Sequence, residues 1–314
     1  MNLLILNALA EQYEKALGPK FPEVFIHPAL EEDQVGDFVE KMDIVLTVRI
    51  SDELVKRAVN LKWIQTITTG VDYIINLPSL KKEVLITSCR GIHVPQMSEL
   101  AFLFMLALNR NFPQVIRNQE VRVWQKWPAR LLDRRKVGIL GIGAIGEEIA
   151  RKCKAFGMTV FGIDAVKREV AAVDFFYGPE DLLRVVPEVD YFIIAVPHTP
   201  RTRKMVDAEV LFSMKHTAFL INIGRGEVVD EEALVDLLKT GKIAGAALDA
   251  FGREPLPEDH PLWGMKNVIV TPHIGGMSEI CVEQVLSVFE ENLRRFLKGE
   301  TENLINHIAR RERD

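Results

Sequence analysis

The side chains with the clearest chemical potential are Arg225, Glu254 and His273, each of which follows an apolar run in the second half of the chain. An arginine stays charged and can hold a carboxylate through two parallel hydrogen bonds. A histidine exchanges protons near neutral pH, and a carboxylate beside it holds its orientation and favours its charged form. The three together suit hydride chemistry on a 2-oxo acid. Taken singly, they also fit a solvated arginine, a surface glutamate and a packed histidine.

A glycine-rich loop, Gly141–Gly146, has the spacing G-x-G-x-x-G and follows the predicted strand Lys136–Leu140. In such a loop the first glycine permits a tight turn, the second lets a pyrophosphate approach the backbone, and the third lets helix and strand pack closely. The helix that begins there presents unpaired N–H groups to phosphates. This context predicts a dinucleotide site that includes Gly141, Gly143, Ala144, Ile145 and Gly146.

Asp164 follows the next predicted strand, 18 residues after the last glycine of the loop. A carboxylate at that point can accept hydrogen bonds from the hydroxyls of an adenosine ribose, which favours NAD as the cofactor. Lys167 and Arg168 follow closely, and their charges would tolerate a 2′-phosphate, so NADP stays an alternative. An ordinary solvated acid is the other interpretation of Asp164.

Short apolar runs alternate with polar, helix-compatible segments, which predicts parallel strands covered by helices. In the first half the predicted strands are Leu3–Leu6, Val24–Ile26, Ile44–Val48, Trp63–Thr68 and Val84–Thr87, with helices at Ala10–Ala16 and Ser51–Asn60. In the second half the predicted strands are Lys136–Leu140, Thr159–Ile163, Tyr191–Val196, Ala218–Ile223, Ile243–Leu248 and Val268–Val270, with helices at Ser98–Asn109 and Val282–Leu297 on either side. Ligands of such sheets bind beyond the carboxyl ends of the strands. Pro197 and His198 also follow a strand end, so His198 is a candidate for lining the pocket.

The composition sets the broad class of the protein. A length of 314 residues corresponds to roughly two domains. A hydrophobic fraction of 48% and a formal net charge of −5 are typical of a globular protein and give no electrostatic footprint for nucleic acid. The most apolar stretch falls short of the ~20 residues that cross a bilayer, so we expect no membrane partner. Three widely spaced cysteines indicate reduced thiols in the cytoplasm and no metal site. The polar tail Ala309–Asp314 is expected to fray.

Four longer motifs resemble those of the D-isomer-specific 2-hydroxyacid dehydrogenases, in the same order and over essentially the whole chain. They are Gly138–Gly146, Asn222–Asp230, Ala247–Leu256 and Thr271–Gly275. The resemblance implies an NAD(H)-dependent oxidoreductase that interconverts a small D-2-hydroxy acid and its 2-oxo acid, such as glyoxylate, hydroxypyruvate or pyruvate. A phosphite or phosphoglycerate dehydrogenase stays an alternative, as does a nicotinamide-sensing binding protein like the corepressors of this fold.

The resemblance also implies individual roles. His273 matches the acid/base of the family, Glu254 its partner, and Arg225 the arginine that binds substrate, while Asp249 matches a residue that contacts the nicotinamide amide. Backbone N–H groups of a loop like Gly70-Val71 hold the substrate carboxylate, and Arg49 lies in a similar loop. His198 replaces a frequently apolar residue, with an effect that stays unassigned. Together these inferences assign cofactor binding to Gly141, Gly143, Ala144, Ile145, Gly146, Asp164, Pro197, Asp249 and Gly275, and substrate binding to Arg49, Gly70, Val71 and Arg225.

The expected fold class is α/β, with two Rossmann-like, doubly wound parallel-sheet domains and an active site in the cleft between them. Residues 1–98 plus 278–314 form the expected substrate domain, which is discontinuous and flavodoxin-like, and residues 99–277 form the dinucleotide-binding domain. The resemblance further implies a homodimer built around the helix Ser98–Asn109.

Overall fold

The structure is a computed structural model that describes residues 1–166 and 168–309. The predictions for Lys167 and for the tail beyond Ala309 concern residues outside these ranges. The chain divides into two compact units, Met1–His93 with the segment that begins at Met277, and Val94–Gly276. The predicted domain limits at residues 98 and 278 stay a prediction; the units of the structure change over at His93 and Gly276.

The helices and strands follow one another along the chain as expected for an α/β protein. In residues 1–93 they are β1 (Asn2–Leu6), α1 (Ala10–Leu17), β2 (Phe25–Ala29), β3 (Ile44–Thr47), α2 (Asp52–Arg57), β4 (Trp63–Thr66), α3 (Asp72–Ile75) and β5 (Leu85–Thr87). In the second unit they are α4 (Val94–Arg110), α5 (Phe112–Glu120), β6 (Lys136–Leu140), α6 (Ala144–Ala155), β7 (Thr159–Ile163), β8 (Phe175–Tyr177), α7 (Leu182–Val185), β9 (Tyr191–Ile194), α8 (Ala208–Ser213), β10 (Phe219–Asn222), α9 (Glu231–Thr240), β11 (Gly245–Leu248) and β12 (Val268–Val270). The chain then returns to the first unit through α10 (Cys281–Leu297).

The sheet of the first unit is parallel, with the strand order β2-β1-β3-β4-β5. This is the flavodoxin-like order. Strands β3 and β4 are buried along their whole length, as expected for parallel strands with helices on both faces. From β4, the Trp63 ring packs against Phe289 of α10, with centroids 5.4 Å apart. Strand β2 contains Pro28, which is tolerated because β2 lies at the sheet edge.

The sheet of the second unit is also parallel, with the order β12-β11-β10-β9-β6-β7-β8. The strand order reverses between β6 and β9, and the carboxyl ends of the strands at such a switch point form the crevice where open α/β sheets bind ligands. The predicted fold class, two α/β units with doubly wound parallel sheets, is therefore confirmed.

Helix ends follow the predicted signals in part. The Ser51 hydroxyl accepts a hydrogen bond from Leu54 N and begins α2. Helix α4 begins at Val94, four residues before the predicted start at Ser98, because Pro95 fits a first helical turn, where no backbone donor is needed. Helix α9 follows the predicted N-cap Asp230 and ends before Gly241, whereas the sequence does not predict helices α3, α5, α7 and α8 or strand β8. Within the two described ranges, no helix is both long and apolar enough to cross a membrane.

Candidate active site

The glycine loop after β6 shows why three of its positions are glycine. Gly141 has φ +100°, and a Cβ there would lie 2.9 Å from the carbonyl oxygen of Ala195. A Cβ on Gly146 would lie 1.9 Å from the carbonyl oxygen of Gly141, so any side chain would push the helix away from the strand. A Cβ on Gly143 would meet nothing within 4 Å. The open space therefore lies at the second glycine, where a pyrophosphate would approach the backbone.

The backbone around Gly143 is ready to bind an anion. Among the described residues, the N–H groups of Gly143, Ala144 and Ile145 have no hydrogen-bond partner. They begin the 12-residue helix α6, whose dipole places partial positive charge at this end. Unpaired donors, positive potential and open space fit the phosphates of a dinucleotide.

Asp164 lies at the carboxyl end of β7, directly beside this loop. Its Oδ2 accepts a hydrogen bond from Ile142 N at 2.8 Å, and its Oδ1 accepts one from Val166 N at 2.9 Å. Each carboxylate oxygen has a second lone pair, so both can still accept from ribose hydroxyls. Arg168 donates to the carbonyl oxygen of Ile142, and its Nη1 lies 3.0 Å from Glu147 Oε2. An acid and a cation therefore both border the loop.

Arg225 follows β10 in a segment whose backbone is fixed on both sides. A Cβ on Gly224 would lie 2.6 Å from the carbonyl oxygen of Val196, and one on Gly226 would lie 1.9 Å from the carbonyl carbon of Phe251. The Asn222 side chain accepts from Gly224 N and donates to the carbonyl oxygen of Arg225, both at 3.0 Å. This close packing explains why the arginine stands between two glycines.

His273 and Glu254 form a close pair. His273 Nδ1 lies 2.8 Å from Oε2 and 3.0 Å from Oε1 of Glu254, and Phe251 N donates to Oε1 at 3.1 Å. Burial alone would raise the pKa of the Glu254 carboxyl. The hydrogen bonds from His273 and Phe251, with the positive charges of His273 and Arg225, hold that pKa below its usual value. Glu254 is therefore ionised at neutral pH, and Arg225 is near enough to affect it.

The ionised carboxylate fixes the role of each imidazole nitrogen. A carboxylate only accepts hydrogen bonds, so Nδ1 of His273 must carry the proton that it shares with Glu254. Nε2 is then the nitrogen that can give a proton to a bound substrate or take one from it. His273 has φ +53°, a sparsely populated conformation for a residue with a side chain.

Asp249 holds the backbone around His273 in this conformation. It is 2% exposed, and its oxygens accept hydrogen bonds from the Thr271 hydroxyl at 2.6 Å, Ile274 N at 3.0 Å and Gly275 N at 2.9 Å. A Cβ on Gly275 would lie 2.7 Å from Asp249 Oδ2, so this close approach requires glycine. Contacts of Asp249 and Gly275 with the nicotinamide end of a cofactor stay a prediction.

In the first unit, threonine hydroxyls brace the loop that follows β4. Thr66 Oγ1 donates to the carbonyl oxygen of Thr68 at 2.8 Å, and Thr68 Oγ1 donates to that of Gly70 at 2.7 Å. Within the described part of the chain, the backbone N–H groups of Gly70 and Val71 have no partner. Two free donors on a braced loop suit a carboxylate.

Arg49 belongs to the same end of the first unit. Its guanidinium lies over the ring of Tyr73, 4.2 Å from the ring centroid, and Tyr73 is in α3, the helix that follows the Gly70-Val71 loop. The loops after β3 and β4 therefore bring a cation and the free N–H groups of Gly70 and Val71 to one edge of this sheet.

His93 is a further polar residue beside the Gly70-Val71 loop, and the sequence does not predict its place there. This residue is 8% exposed, and its Nδ1 lies 3.1 Å from the hydroxyl of Thr69, the residue before Gly70. Burial lowers the pKa of His93, so the side chain is neutral at pH 7. No spacing signal marks His93, because its partner is 24 residues away in sequence.

The remaining predicted position is the segment after β9. Pro197 is exposed, and its carbonyl oxygen accepts a hydrogen bond from the Thr202 hydroxyl at 2.7 Å. His198 is partly buried, and nothing in its surroundings assigns it a role. The cofactor contact predicted for Pro197 stays a prediction.

Comparison with known proteins gives consistent matches. A family model described as "D-isomer specific 2-hydroxyacid dehydrogenase, NAD binding domain" matches residues 102–275. D-3-phosphoglycerate dehydrogenase of Methanocaldococcus jannaschii is 30% identical over 313 residues, which cover 98% of this chain but only 59% of that protein. Glyoxylate reductase of Korarchaeum cryptofilum is 34% identical over 269 residues, which cover 83% of this chain and 81% of the reductase.

A solved structure extends the match to the whole fold. It is a D-isomer specific 2-hydroxyacid dehydrogenase from Xanthobacter autotrophicus in complex with NADPH and MES. The TM-score is 0.85 at 29% identity, and the alignment covers 98% of each chain.

Proposed function

Because the chain belongs to the D-isomer specific 2-hydroxyacid dehydrogenase family, we propose that it interconverts a small D-2-hydroxy acid and its 2-oxo acid, with NAD(H) as the hydride carrier. The observation that carries this proposal is the His273–Glu254 pair, with Arg225 near enough to lower the pKa of Glu254. A cation to hold a carboxylate and an oriented acid/base are what the reaction requires of the protein.

In the direction of reduction, each of the three side chains has one task. The Arg225 guanidinium binds the carboxylate and the carbonyl oxygen of the 2-oxo acid and stabilises the negative charge that develops on that oxygen. His273 Nε2 donates a proton to the same oxygen, and Glu254 stabilises the imidazolium before the transfer. The nicotinamide, when bound, supplies the hydride. In the oxidation direction His273 takes the proton back.

Our proposal for the cofactor is NAD rather than NADP. It rests on Asp164, whose carboxylate at the end of β7 would accept from ribose hydroxyls and repel a 2′-phosphate. Arg168 beside the loop is the feature that favours NADP, but its guanidinium is already paired with Glu147. The Xanthobacter relative was solved with NADPH, so at least one member of the family binds the phosphorylated cofactor.

We further propose that Arg49 and the N–H groups of Gly70 and Val71 help to bind the substrate carboxylate. The free donors of the braced loop and the guanidinium over Tyr73 support this role. Glyoxylate, hydroxypyruvate and pyruvate are the proposed substrates, and the name of the Korarchaeum relative, glyoxylate reductase, supports the first of them. A phosphate-bearing substrate is the second candidate. It is favoured by the match to a phosphoglycerate dehydrogenase, of which this chain spans 59%.

Two proposals concern the protein as a whole. A homodimer built around α4 is supported by two exposed leucines of that helix, Leu103 at 59% and Leu106 at 38% exposure. A reducing, cytoplasmic location is supported by the three cysteines, all of which are free thiols.

The test is a steady-state assay of NADH and NADPH oxidation with glyoxylate, hydroxypyruvate, pyruvate and 3-phosphohydroxypyruvate. We expect turnover with at least one of the three small acids, faster with NADH than with NADPH, and the D-enantiomer wherever the product is chiral. Turnover with 3-phosphohydroxypyruvate alone would favour the second candidate. Cofactor binding without turnover of any acid would contradict the proposal and favour a nicotinamide-sensing protein.

A further inference from the structure

A cavity lies at the amino edge of the sheet in the second unit, away from the strand ends that carry the glycine loop and Arg225. Phe219 begins β10, while Ala244 and Asn267 directly precede β11 and β12. All three line a cavity of about 400 Å³, within the range of small-molecule sites.

The charge of this cavity is positive. Arg117, Arg130 and Lys266 line it. The lining residues all lie within the described ranges, and none of them is acidic. The surrounding segment 110–136 contains eight Lys and Arg residues against two acids, although the whole chain has a net charge of −5. This local excess of cations in an acidic chain creates a positive electrostatic potential that attracts anions.

Two of the cations are held in place by the fold. Arg117 Nη2 donates to the carbonyl oxygen of Lys266 at 3.2 Å. Arg130 Nη1 donates to the carbonyl oxygen of Thr217 at 2.8 Å, and the guanidinium lies 5.2 Å from the centroid of the Phe219 ring. Each guanidinium has five N–H donors, so these contacts leave donors for a ligand.

An unsatisfied amide lines the same cavity. Asn109 is 5% exposed and accepts a hydrogen bond from the Tyr191 hydroxyl through Oδ1. Burial raises the pKa of Tyr191 to about 12, so its hydroxyl keeps its proton and stays a donor. The Nδ2 of Asn109 is buried and has no partner among the described residues. A buried donor without a partner is costly, so a negative charge next to this wall of the cavity is less unfavourable than a further positive one.

We propose that this cavity binds a small organic oxyanion, a phosphorylated or polycarboxylate metabolite. Its anionic oxygens contact Arg117, Arg130 and Lys266, and its carbon skeleton packs against Trp127 and Phe219. The cavity uses one face of α5, which carries Pro113, Gln114 and Arg117, while the exposed apolar residues of that helix, Phe112 and Ile116, lie on another face. The site is independent of the function proposed above.

Isothermal titration of the chain, with NADH present to fill the dinucleotide site, tests the proposal with pyrophosphate, AMP and citrate as probes. We expect at least one probe to bind at one site per chain. Binding of citrate alone would identify the oxyanion as a polycarboxylate, and binding of pyrophosphate or AMP alone would identify it as a phosphate. Adenosine, which has no charge, should not bind. Failure of all three anions at millimolar concentration would overturn the proposal.

Matched variants locate the site. Lys266→Gln and Arg117→Gln should each raise the Kd of the bound probe at least ~10-fold. Arg184→Gln, an exposed arginine of the same unit outside the cavity, should leave the Kd unchanged. Asn109→Asp keeps the acceptor for Tyr191 but adds a negative charge, and should abolish binding. Lys266 is exposed, so Lys266→Gln should fold even if Asn109→Asp does not. Equal loss of affinity in Arg184→Gln, or none in Lys266→Gln, would contradict the assignment.

Discussion

At the residue scale, the sequence neighbours of Arg225 predict a functional loop. Only the structure shows why those neighbours are glycines. Two glycines around an arginine after an apolar run indicate a functional loop. They do not reveal that a Cβ on Gly226 would collide with the backbone of Phe251, 25 residues away in sequence. The Glu254–His273 pairing was likewise expected from the family motifs, whereas the His93–Thr69 contact had no signal in either sequence segment.

Arg225→Lys tests the two-pronged contact with the substrate. Lysine keeps the charge but loses the planar fork, so kcat/KM for the 2-oxo acid should fall at least ~10-fold, or about 1.4 kcal/mol of transition-state stabilisation. The Kd of NADH, measured by fluorescence titration, should stay the same. Arg253→Lys, at an exposed arginine next to Glu254, is the control and should retain wild-type kinetics. Unchanged kinetics in Arg225→Lys would mean that Arg225 does not anchor the substrate.

Asp164→Ser tests the cofactor preference. The change removes the acceptor for ribose hydroxyls and the repulsion of a 2′-phosphate, so the ratio of kcat/KM for NADH over NADPH should fall at least ~10-fold. Asp236→Ser, at an exposed acid of α9, should leave the ratio unchanged. A wild type that already prefers NADPH would show that Asp164 does not select the cofactor.

At the element scale, the buried strands were predictable because parallel strands covered on both faces consist of continuous apolar residues. The predicted and observed limits of β6, β7 and β12 agree, since these strands end at glycine, charged or proline-containing turns. Strand β8 escaped prediction because it has only three residues and lies at the sheet edge, where Phe175 is half exposed. The bracing of the His273 loop by Asp249 depends on hydrogen bonds between the segments that follow β11 and β12, which no local pattern encodes.

The loop between β6 and α6 offers a matched pair of variants. Gly143 has φ −81°, which alanine adopts, and its Cβ would meet only open space. Gly143→Ala should therefore leave Tm unchanged but raise the Kd of NADH at least ~10-fold, because the methyl group blocks the pyrophosphate. Gly146→Ala should lower both NADH affinity and stability, by about 1–3 kcal/mol, because its Cβ would overlap the carbonyl oxygen of Gly141. Full NADH affinity in Gly143→Ala would refute the phosphate site.

At the scale of the whole molecule, the sequence predicted two parallel-sheet units because the strand–helix rhythm runs twice along the chain. The change of unit falls at His93, immediately before α4, rather than within that helix. A helix boundary near proline is difficult to predict from sequence alone, since Pro95 fits a helix start as well as a preceding turn.

The proposed dimer is tested by size-exclusion chromatography with light scattering. We expect twice the chain mass of 35.6 kDa for the wild type. Leu103→Lys should shift the population to monomer, because a charge replaces an apolar side chain in the centre of the proposed interface. Phe212→Lys, at an exposed aromatic residue of α8, should remain dimeric. A monomeric wild type, or dimers in Leu103→Lys, would exclude this interface.

The proposed reaction depends on His273, held by the ionised Glu254, giving the proton to the substrate carbonyl oxygen. The most direct measurement is the pH dependence of kcat/KM for 2-oxo acid reduction at saturating NADH. Reduction requires the imidazolium, so the rate should fall as pH rises. The low pKa of Glu254 keeps its carboxylate charged throughout this range, and the charge favours the imidazolium.

Glu254→Gln removes that charge at nearly constant size and should move the fall in kcat/KM to lower pH. Glu258→Gln, at an exposed acid of the same loop, should leave the profile in place. A profile in Glu254→Gln that coincides with that of the wild type would contradict the pairing of Glu254 with a proton-donating His273.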